Sequence, residues 1–373
     1  MSSKPRILVL SASTGNGHAS AADAIVTQAQ AMGLHAVHED VLDFTSKGFR
    51  KWYRGGYETL VRRRPKMWGH LYRSSDRPRF NYYFQTGLDK QFCRPLAKII
   101  RSHKPDWVIC THSLPQPALA QMRTQYPFRM GVVVTDLYVH RMWLRGKPDW
   151  FFVPQEYSRN ILTQRLPSVK DQITVSGIPV HPVFESAPRK EDARAQLGIE
   201  ESAELALVSS GGIGGGPLLE AVEALRIQGL LVTVIAGRND AMRTALKNRF
   251  QDDSRVNVLG HIDQATMAKH MAAADFLVAK PGGLTTFEAL TVGLPFLVYW
   301  PFLIPGQEEG NADFLEECGA GVMARNINEL ESQANILKDP VLRDQMSRAA
   351  KAHAPSHSAE KIVQQIITLS SQE

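Results

Sequence analysis

The sequence has no apolar run long enough to cross a bilayer, and it contains few cysteines. Its longest apolar stretch, residues 294–305, is interrupted by three prolines, whereas a membrane-spanning helix needs about 20 apolar residues. The opening residues contain no long apolar core before a small-residue cleavage site, so we expect no secretory signal. Three widely spaced cysteines, Cys93, Cys110 and Cys318, are typical of a reducing cytoplasm.

Acidic residues are scarce in the first half of the chain. Residues 1–180 hold 26 Lys and Arg against 12 Asp and Glu, and the remainder holds 17 against 25. The excess is concentrated between Lys47 and Lys104, where 16 basic and 3 acidic residues accompany 11 of the 30 aromatic residues. A stretch of this composition usually contacts something anionic, either a nucleic acid or an acidic membrane surface.

Short apolar runs alternate with helical patterns along the whole chain. The runs lie at 6–13, 35–44, 107–113, 130–136, 150–154 and 173–179, then at 204–210, 231–237, 256–260, 275–280 and 294–300. Alternation at this spacing predicts parallel sheets with helices on both faces. Because a polar, proline-containing connection spans 180–203, we predict an α/β chain of two tandem Rossmann-like, doubly wound domains at 1–180 and 181–350.

Glycine-rich turns follow three predicted strands, at 15–17, 211–216 and 282–283. Ligands of open parallel sheets bind where the strands end, and a glycine turn at a helix start lets a phosphate reach free N–H groups. Ser20 and Pro217 replace the third glycine of the dinucleotide fingerprint, and the chain has no P-loop motif. A nicotinamide, flavin or P-loop enzyme is therefore disfavoured, although such a turn can also be only a tight connection.

The most specific pattern is KPGGLTTFE, residues 280–288. Backbone and hydroxyl donors of Gly282, Gly283, Thr285 and Thr286 suit a diphosphate. Glu288, one turn further, could accept hydrogen bonds from ribose hydroxyls, or could only stabilise the helix dipole. The remaining candidates for the donor site are two turn glycines and three polar residues suited to sugar hydroxyls: Gly211, Gly212, Gln307, Glu308 and Asn311.

Six segments within roughly residues 7–323 resemble the bacterial diacylglycerol glycosyltransferases and plant monogalactosyldiacylglycerol synthases of glycosyltransferase family 28. They are LSASTGNGHASAADAI, CTHSLPQPALA, VVVTDLYVHRMWL, VSGIPVHPVF, GGIGGGPL and AKPGGLTTFEALTVGLPFLVYWPFLIPGQEEGNADFLEECGAG. The resemblance implies a GT-B type fold whose two domains face a cleft, with a UDP-sugar bound by the second domain. It also implies inversion at the anomeric carbon and peripheral attachment to a membrane. Asn16 and the GGIGGG turn depart from the family pattern.

The resemblance carries further to single residues and to the chain end. It implies that the backbone of Ile262 reads the uracil base and that residues 351–373 form a helix that packs back on the first domain. It also supports the diphosphate, ribose and sugar roles assigned above from side-chain chemistry. The chain has no Asp-x-Asp sequence to hold a sugar-nucleotide metal. We therefore expect no metal or other cofactor, with the UDP-sugar as a substrate and the leaving group stabilised by helix dipoles and N–H groups.

Two side chains are candidates for the base that an inverting transfer requires. His18 follows the first glycine turn at a helix start, where the dipole favours the neutral, basic imidazole. It could instead contact the acceptor or cap its own turn. Asp136 follows a buried strand and is the second candidate, although a strand-end carboxylate can be purely structural.

The basic, aromatic window is interpreted as the acceptor and membrane side of the first domain. Its aromatics recur at helical spacing among cations, as in an interfacial helix, and Gly55-Gly56 is expected to interrupt that helix. An RNA-binding role lacks any accompanying motif, and a solvated helical face over an aromatic core is the simpler alternative. The residues assigned to acceptor or membrane contact are Gly15, Gly17, Trp52, Tyr53, Tyr57, Arg62, Arg63, Arg64 and Trp68.

The sequence thus predicts an inverting hexosyltransferase of membrane glycolipid synthesis. The donor would be a UDP-hexose, glucose or galactose, and the acceptor diacylglycerol or monoglycosyldiacylglycerol. The chain would be cytoplasmic and attached peripherally to anionic lipids at the inner face of the cell membrane, with no nucleic-acid partner. Two alternatives stay open: transfer to another lipid acceptor such as a polyprenyl carrier, and a non-catalytic nucleotide-sugar sensor.

Overall fold

The computed structural model describes residues 4–13, 16–77, 95–212 and 216–372, with the backbone alone at Arg54, Tyr57, Glu58, Arg62 and Arg63. Four of the predicted acceptor residues therefore lie outside the described part, either entirely or by their side chains: Gly15, Tyr57, Arg62 and Arg63. The chain divides into two compact units, Met1–Pro182 together with Pro355–Glu373, and Val183–Ala354.

The first unit is built on a six-stranded parallel sheet. Its strands are β1 (Ile7–Ser11), β2 (Ala36–Asp40), β3 (Trp107–Cys110), β4 (Arg129–Val133), β5 (Trp150–Val153) and β6 (Ile173–Val175). They are arranged in the order β2-β1-β3-β4-β5-β6. Every residue of β1 and β3 is buried, as expected for a parallel sheet that helices cover on both faces.

The second unit repeats this architecture. Its strands are β7 (Leu205–Ser209), β8 (Leu231–Ile235), β9 (Val256–Leu259), β10 (Phe276–Ala279), β11 (Phe296–Tyr299) and β12 (Gly321–Ala324). Their order is β12-β11-β10-β7-β8-β9, and all pairs are parallel. The two sheets confirm the predicted α/β class with doubly wound parallel sheets.

Helices connect the strands and cover the sheets. Those of the first part of the chain are α1 (Asn16–Ala31), α2 (Lys47–Arg63), α3 (Pro65–Ser75), α4 (described over 95–103), α5 (Gln116–Met122), α6 (Glu156–Arg165) and α7 (Pro182–Glu185). The others are α8 (Lys190–Leu197), α9 (Leu218–Ile227), α10 (Asp240–Arg249), α11 (Gln264–Ala273), α12 (Gly283–Val292), α13 (Glu309–Glu317), α14 (Ile327–Ile336), α15 (Pro340–His353) and α16 (Ser358–Ser370). Among the described residues, none of these helices combines the length and the apolar character that a membrane crossing requires.

The C-terminal helix α16 packs on the first unit. Its buried face joins the core formed by β1, β3 and α1, with Ile362 and Ile366 fully inaccessible to solvent. Two hydrogen bonds fix its end: Trp107 Nε1 donates to Ser370 Oγ at 2.9 Å, and Arg129 donates to the Leu369 carbonyl at 2.8 Å. The helix is therefore an integral layer of this unit, because it covers one face of the sheet.

All strands of each sheet are parallel, but each sheet has one position from which the chain adds strands first towards one edge and then towards the other. It lies between β1 and β3 in the first unit and between β7 and β10 in the second. The loops after the two strands diverge there and leave a crevice at the carboxyl ends. We call these positions the first and second switch points.

The prediction that Gly55-Gly56 interrupts the amphipathic helix is wrong. Helix α2 runs through both glycines, and the chain leaves helical geometry only at Arg64, with φ −140° and ψ 57°, before Pro65 opens α3. A helical glycine costs about 1 kcal/mol but keeps its N–H donor, whereas proline lacks that donor and clashes with the preceding turn. The break therefore falls at the proline.

Candidate functional site

His18 lies in the first turn of α1, at the first switch point. Its Nδ1 atom is 2.8 Å from the carbonyl oxygen of Thr111, the residue directly after β3. The same atom is 3.0 Å from the hydroxyl oxygen of Thr135, which follows β4. Thr111 in turn donates its hydroxyl to the His18 carbonyl at 2.8 Å. Residues that follow two neighbouring strands, β3 and β4, therefore position this imidazole.

The hydrogen bond to Thr111 determines which nitrogen of His18 carries the proton. A carbonyl oxygen can only accept, so Nδ1 is protonated and Nε2 keeps the lone pair of the neutral ring. Burial lowers the pKa of His18 from its usual 6.5 to about 4, against the smaller opposing effect of the Thr111 carbonyl. The ring is therefore neutral at pH 7, and its Nε2 atom is able to accept a proton.

Two further rings surround His18. The ring of His112 approaches it edge-on with a centroid distance of 4.6 Å, and the ring of Trp143 lies at 6.2 Å. Burial, together with the neighbouring His18, holds the pKa of His112 well below its usual range. Its Nδ1 atom accepts the Leu114 N–H at 3.0 Å. The site thus holds two neutral imidazoles side by side, without repulsion between like charges.

Asp136, the second candidate for the base, is half-buried on the turn after β4. The contact with His18 described above is made by its neighbour Thr135, which sequence reasoning passed over. The only signal for Thr135 was its position just beyond a buried strand next to the first switch point. Asp136 as a base stays a prediction.

The second unit has its glycine turns at the second switch point. Gly282 is the N-cap of α12 and has no side chain with which to cap the helix, so the first N–H groups of α12 have no partner within the helix. Gly211, after β7, has φ +82°, and a Cβ there would lie 2.7 Å from Lys280 Cε. Gly237, after β8, has φ +60°, and a Cβ there would lie 3.0 Å from the carbonyl oxygens of Gly211 and Gly212. Glycine is needed at both positions because of conformation and of space.

Lys280 and Glu308 form an ion pair beside these glycines, and the sequence reasoning did not assign Lys280 to the site. The Lys280 ammonium binds Glu308 Oε1, while Glu308 Oε2 accepts the Ile304 N–H at 2.8 Å. The carboxylate side chain is 4% exposed and the lysine side chain 20% exposed. Both oxygens of Glu308, predicted to face the sugar, are thus used by the protein itself.

Asn311 is another of the polar residues that the sequence assigned to the sugar hydroxyls. It lies in the first turn of α13, and its side-chain amide donates to the Pro281 carbonyl at 2.7 Å. This bond ties α13 to the turn before α12. Gln307, by contrast, has a buried Oε1 atom without a hydrogen-bond partner among the described residues. Gln307 therefore has an unsatisfied acceptor that a ligand could use.

The first turns of α12 carry Thr285, Thr286 and Glu288 as predicted. Thr285 is half-buried, whereas Thr286 is fully buried and its hydroxyl has no partner within the described part of the chain. Glu288 is 8% exposed, and burial raises the pKa of its carboxyl from 4.5 to about 8. Buried polar groups are normally hydrogen-bonded, so the unsatisfied Thr286 hydroxyl, together with the buried Glu288 carboxyl on the same helix end, indicates a place for a polar ligand.

Three other predicted residues have simple positions. Gly17 is the second residue of α1, and Gly212 follows Gly211 on the turn after β7. Ile262 is half-buried between β9 and α11 and packs against the apolar core of the second unit. No group of three or more His, Cys, Asp or Glu residues with metal-binding geometry occurs among the described residues.

The segment α2–α3 has one face on the core and one face in solvent. Tyr53 packs against the core of the first unit, and burial raises its pKa to about 12; its assigned contact with the acceptor or the membrane stays a prediction. Trp52 is 64% exposed, and Met67 and Leu71, four residues apart on α3, are 41% and 40% exposed. Trp68 is half-buried. Among the described side chains, the exposed cations in this segment and directly after it are Lys47, Lys51, Arg64, Lys66, Arg73 and Arg77.

The opposite side of α3 is held firmly. Tyr72 is buried, and its ring packs on that of His140 with a centroid distance of 4.4 Å. Asp76 binds the Arg165 guanidinium with both oxygens at 2.7 Å and accepts the Tyr138 hydroxyl at 3.0 Å. Arg165 and the Arg141 backbone N–H hold the pKa of Asp76 below its usual value, despite the opposing effect of burial. These contacts of Tyr72 and Asp76 hold α3 in place, and they therefore determine which of its side chains face solvent.

The chain shares its fold with solved structures. The crystal structure of MurG from Acinetobacter baumannii matches with a TM-score of 0.63, covering 97% of this chain and 99% of that chain at 15% identity. UDP-GlcNAc 2-epimerase from Neisseria meningitidis, solved with UDP-GlcNAc bound, matches with a TM-score of 0.62 over 97% of this chain and 100% of that chain at 14% identity. The chain is thus an α/β protein with the GT-B type of fold.

The sequence comparisons identify the relatives within this fold class. Residues 18–180 match the family described as Monogalactosyldiacylglycerol (MGDG) synthase. The processive diacylglycerol beta-glucosyltransferase of Bacillus pumilus is 25% identical over 376 residues, covering 98% of this chain and 96% of that protein. The resemblance found in the sequence is confirmed: residues 18–180 match the MGDG synthase family model, and nearly the whole chain is similar to diacylglycerol glucosyltransferases.

Proposed function

We propose that this chain is an inverting glycosyltransferase that moves a hexose from a UDP-sugar to diacylglycerol, and then to monoglycosyldiacylglycerol. The observation that carries the proposal is the state of His18. A neutral imidazole, hydrogen-bonded through Nδ1 and with its lone pair on Nε2, lies at the switch point of the unit that matches the MGDG synthase family. The full-length relation to diacylglycerol glucosyltransferases supports the lipid acceptor.

In this reaction His18 is the general base. As the acceptor hydroxyl oxygen attacks the anomeric carbon, Nε2 takes the hydroxyl proton, and the bond from that carbon to the diphosphate oxygen breaks. Attack from the side opposite the departing UDP inverts the anomeric configuration. The Thr111 carbonyl accepts from Nδ1–H at 2.8 Å and stabilises the imidazolium that forms, while Thr135 fixes the ring at 3.0 Å. Asp136 is the alternative base.

The donor site is assigned to the second switch point. Gly211, Gly282 and Gly283 let the diphosphate approach the open N–H groups at the start of α12. Further along this helix end, the unsatisfied Thr286 hydroxyl and the Glu288 carboxyl are suited to the phosphate and the ribose hydroxyls. Three further assignments complete the site: Gln307 accepts from the sugar, Thr285 offers a hydroxyl, and the Ile262 backbone reads uracil.

The exposed face of α2–α3 is assigned to the inner surface of the cell membrane. Trp52, Met67 and Leu71 supply apolar area at the depth of lipid headgroups. The six exposed cations described in and directly after this segment each gain about 1 kcal/mol near an anionic leaflet, which is enough for reversible attachment. The alternative of a merely solvated helix does not account for three large apolar side chains on one anchored segment.

A radiolabelled transfer assay tests the main proposal. UDP-glucose and UDP-galactose, each labelled in the hexose, are incubated with diacylglycerol vesicles, and the label that enters the lipid phase is separated by thin-layer chromatography. We expect a labelled monoglycosyl and then a diglycosyl lipid from one of the two donors. Label that enters only polyprenyl phosphate would favour the carrier-lipid alternative. UDP binding without lipid labelling would favour a nucleotide-sugar sensor.

Vesicle sedimentation tests the membrane assignment. We expect binding to vesicles with anionic phosphatidylglycerol, weaker binding to pure phosphatidylcholine, and a loss of several-fold in Trp52→Ala. The matched control is Tyr157→Ala, since Tyr157 is an aromatic residue of the same unit that is 61% exposed on α6. Equal loss in both variants, or binding that ignores lipid charge, would contradict the assignment.

A further inference from the structure

We propose that the Lys280 ammonium group neutralises the diphosphate of the UDP-sugar, and that Glu308 is the counter-ion that positions it rather than a ligand of the sugar. This inference rests on the proposed function, because it names the charged group that holds the donor. It starts from the ion pair at the second switch point, which the sequence pattern alone did not assign to a role.

Lys280 lies where a phosphate would enter. It is the first residue after β10, and β10 and β7 flank the second switch point. Gly211 leaves room for its stem, since a Cβ there would lie 2.7 Å from Lys280 Cε. A Cβ on Gly282, the residue before α12, would lie 3.9 Å from Lys280 Nζ. The ammonium group therefore lies beside both the glycine turn and the open end of the helix.

The charges of the donor require such a cation. The diphosphate of a UDP-sugar carries two negative charges, and the departing UDP gains a third, whereas a helix N-terminus supplies only about half a positive charge. The net charge of the second part of the chain does not attract the diphosphate, because this part carries 17 basic against 25 acidic residues beyond residue 180. A local ammonium group can supply what the helix end lacks, most of all as charge develops on the leaving group.

Glu308 has the contacts of a positioning residue. One carboxylate oxygen binds Lys280 and the other accepts the Ile304 N–H at 2.8 Å, in a side chain that is 4% exposed. A sugar hydroxyl would have to displace one of these partners. Lysine has three N–H donors, and within the described structure Lys280 uses one, on Glu308. The other two remain for phosphate oxygens.

The test compares ligands that differ only in the diphosphate. The affinities of UDP and of uridine are measured by calorimetry for the wild type, Lys280→Met and Lys280→Arg. We expect Lys280→Met to weaken UDP binding by 10-fold or more and to leave uridine binding unchanged, while Lys280→Arg keeps most of the UDP affinity. The control is Lys190→Met, which removes a lysine from another buried carboxylate, Asp275 at 2.5 Å, and should change neither affinity.

A purely structural ion pair would give a different pattern. Lys280→Met would then weaken UDP and uridine by the same factor, or leave UDP unaffected, and either result overturns the inference. Unchanged uridine binding also shows that the variant is folded. A wild-type protein that binds neither ligand overturns the proposed function itself, and this inference with it.

A second variant separates the two roles of Glu308. If Glu308 acts through Lys280, Glu308→Gln weakens UDP and UDP-hexose by the same factor. If it binds the sugar, only the UDP-hexose affinity falls, and the positioning role is refuted.

Discussion

Glu288 is a buried carboxyl group whose environment should make the stability of the second unit depend on pH. Burial raises its pKa from 4.5 to about 8, and no cation offsets this among the described residues. A group whose pKa is raised by folding stabilises the fold fully below its unfolded pKa, and that contribution is lost as the pH rises towards the folded value. Each pH unit in this window costs about 1.4 kcal/mol. Between pH 5.5 and 8 the loss is therefore about 3 kcal/mol.

The substitution Glu288→Gln isolates this contribution, since glutamine has nearly the same shape and does not titrate. The free energy of unfolding is measured with urea at pH 5.5 and pH 8 for both proteins. We expect the stability of the variant relative to the wild type to increase by about 3 kcal/mol between the two pH values. The control is Glu316→Gln, on the exposed side of α13, for which the difference should not change with pH.

A constant difference between Glu288→Gln and the wild type, within about 0.5 kcal/mol across that range, would refute the reasoning, because Glu288 would then titrate alike in both states. The same carboxyl links stability to the proposed donor site. Ribose hydroxyls that donate to Glu288 favour its ionised form, so UDP binding should release a proton near pH 7. Calorimetry in two buffers of different ionisation enthalpy measures that proton, which Glu288→Gln should not release.

Three further predictions concern the first unit. Replacing the base in His18→Gln should lower kcat by about 10²- to 10⁴-fold without changing UDP affinity in a calorimetric titration, and wild-type activity should not fall through a His18 titration until the pH approaches 4. Ile366 is fully buried under the first sheet, so Ile366→Ala should cost about 2–5 kcal/mol in urea unfolding, whereas the exposed Lys361→Ala should cost little; equal costs would show that α16 does not contribute to the core. Burial raises the pKa of the Cys110 thiol well above its usual range, so iodoacetamide at pH 8 should modify it only after unfolding, and rapid labelling of the native protein, seen by peptide mass spectrometry, would contradict that burial.

The strands were predictable because their signal is local. A parallel strand buried on both faces must be apolar along its length, and runs such as 6–13 and 130–136 satisfy this before any contact is known; both contain strands, β1 and β4. Strand β12, Gly321–Ala324, was missed because Val322 is its only β-branched residue and it contains no aromatic residue, so its composition does not mark a strand. Strand order was not predictable, since it depends on which distant runs pair.

The site was predictable to the extent that it follows a pattern of glycines and polar residues. Gly282, Thr286 and Glu288 lie on one helix start, and the pattern alone placed them there. The local pattern could not predict the hydrogen-bond partners of Glu308 and Asn311. Their partners, Lys280 and Pro281, lie 28 and 30 residues away in the chain, and only folding brings them within hydrogen-bond distance.

The sequence by itself determined the class of fold, the two glycine-rich helix starts and the histidine at the first of them. These features depend on residues that are close together in the chain, where backbone geometry and helix ends follow from local composition. Tertiary structure decided the protonation, burial and pairing of the side chains at the two sites. It placed Nδ1 of His18 on the carbonyl of Thr111, 93 residues away, and it buried Glu288. It also packed Lys280 against Gly211. Proton position, pKa and charge pairing depend on burial and on partners distant in sequence, and these exist only once the sheets have formed.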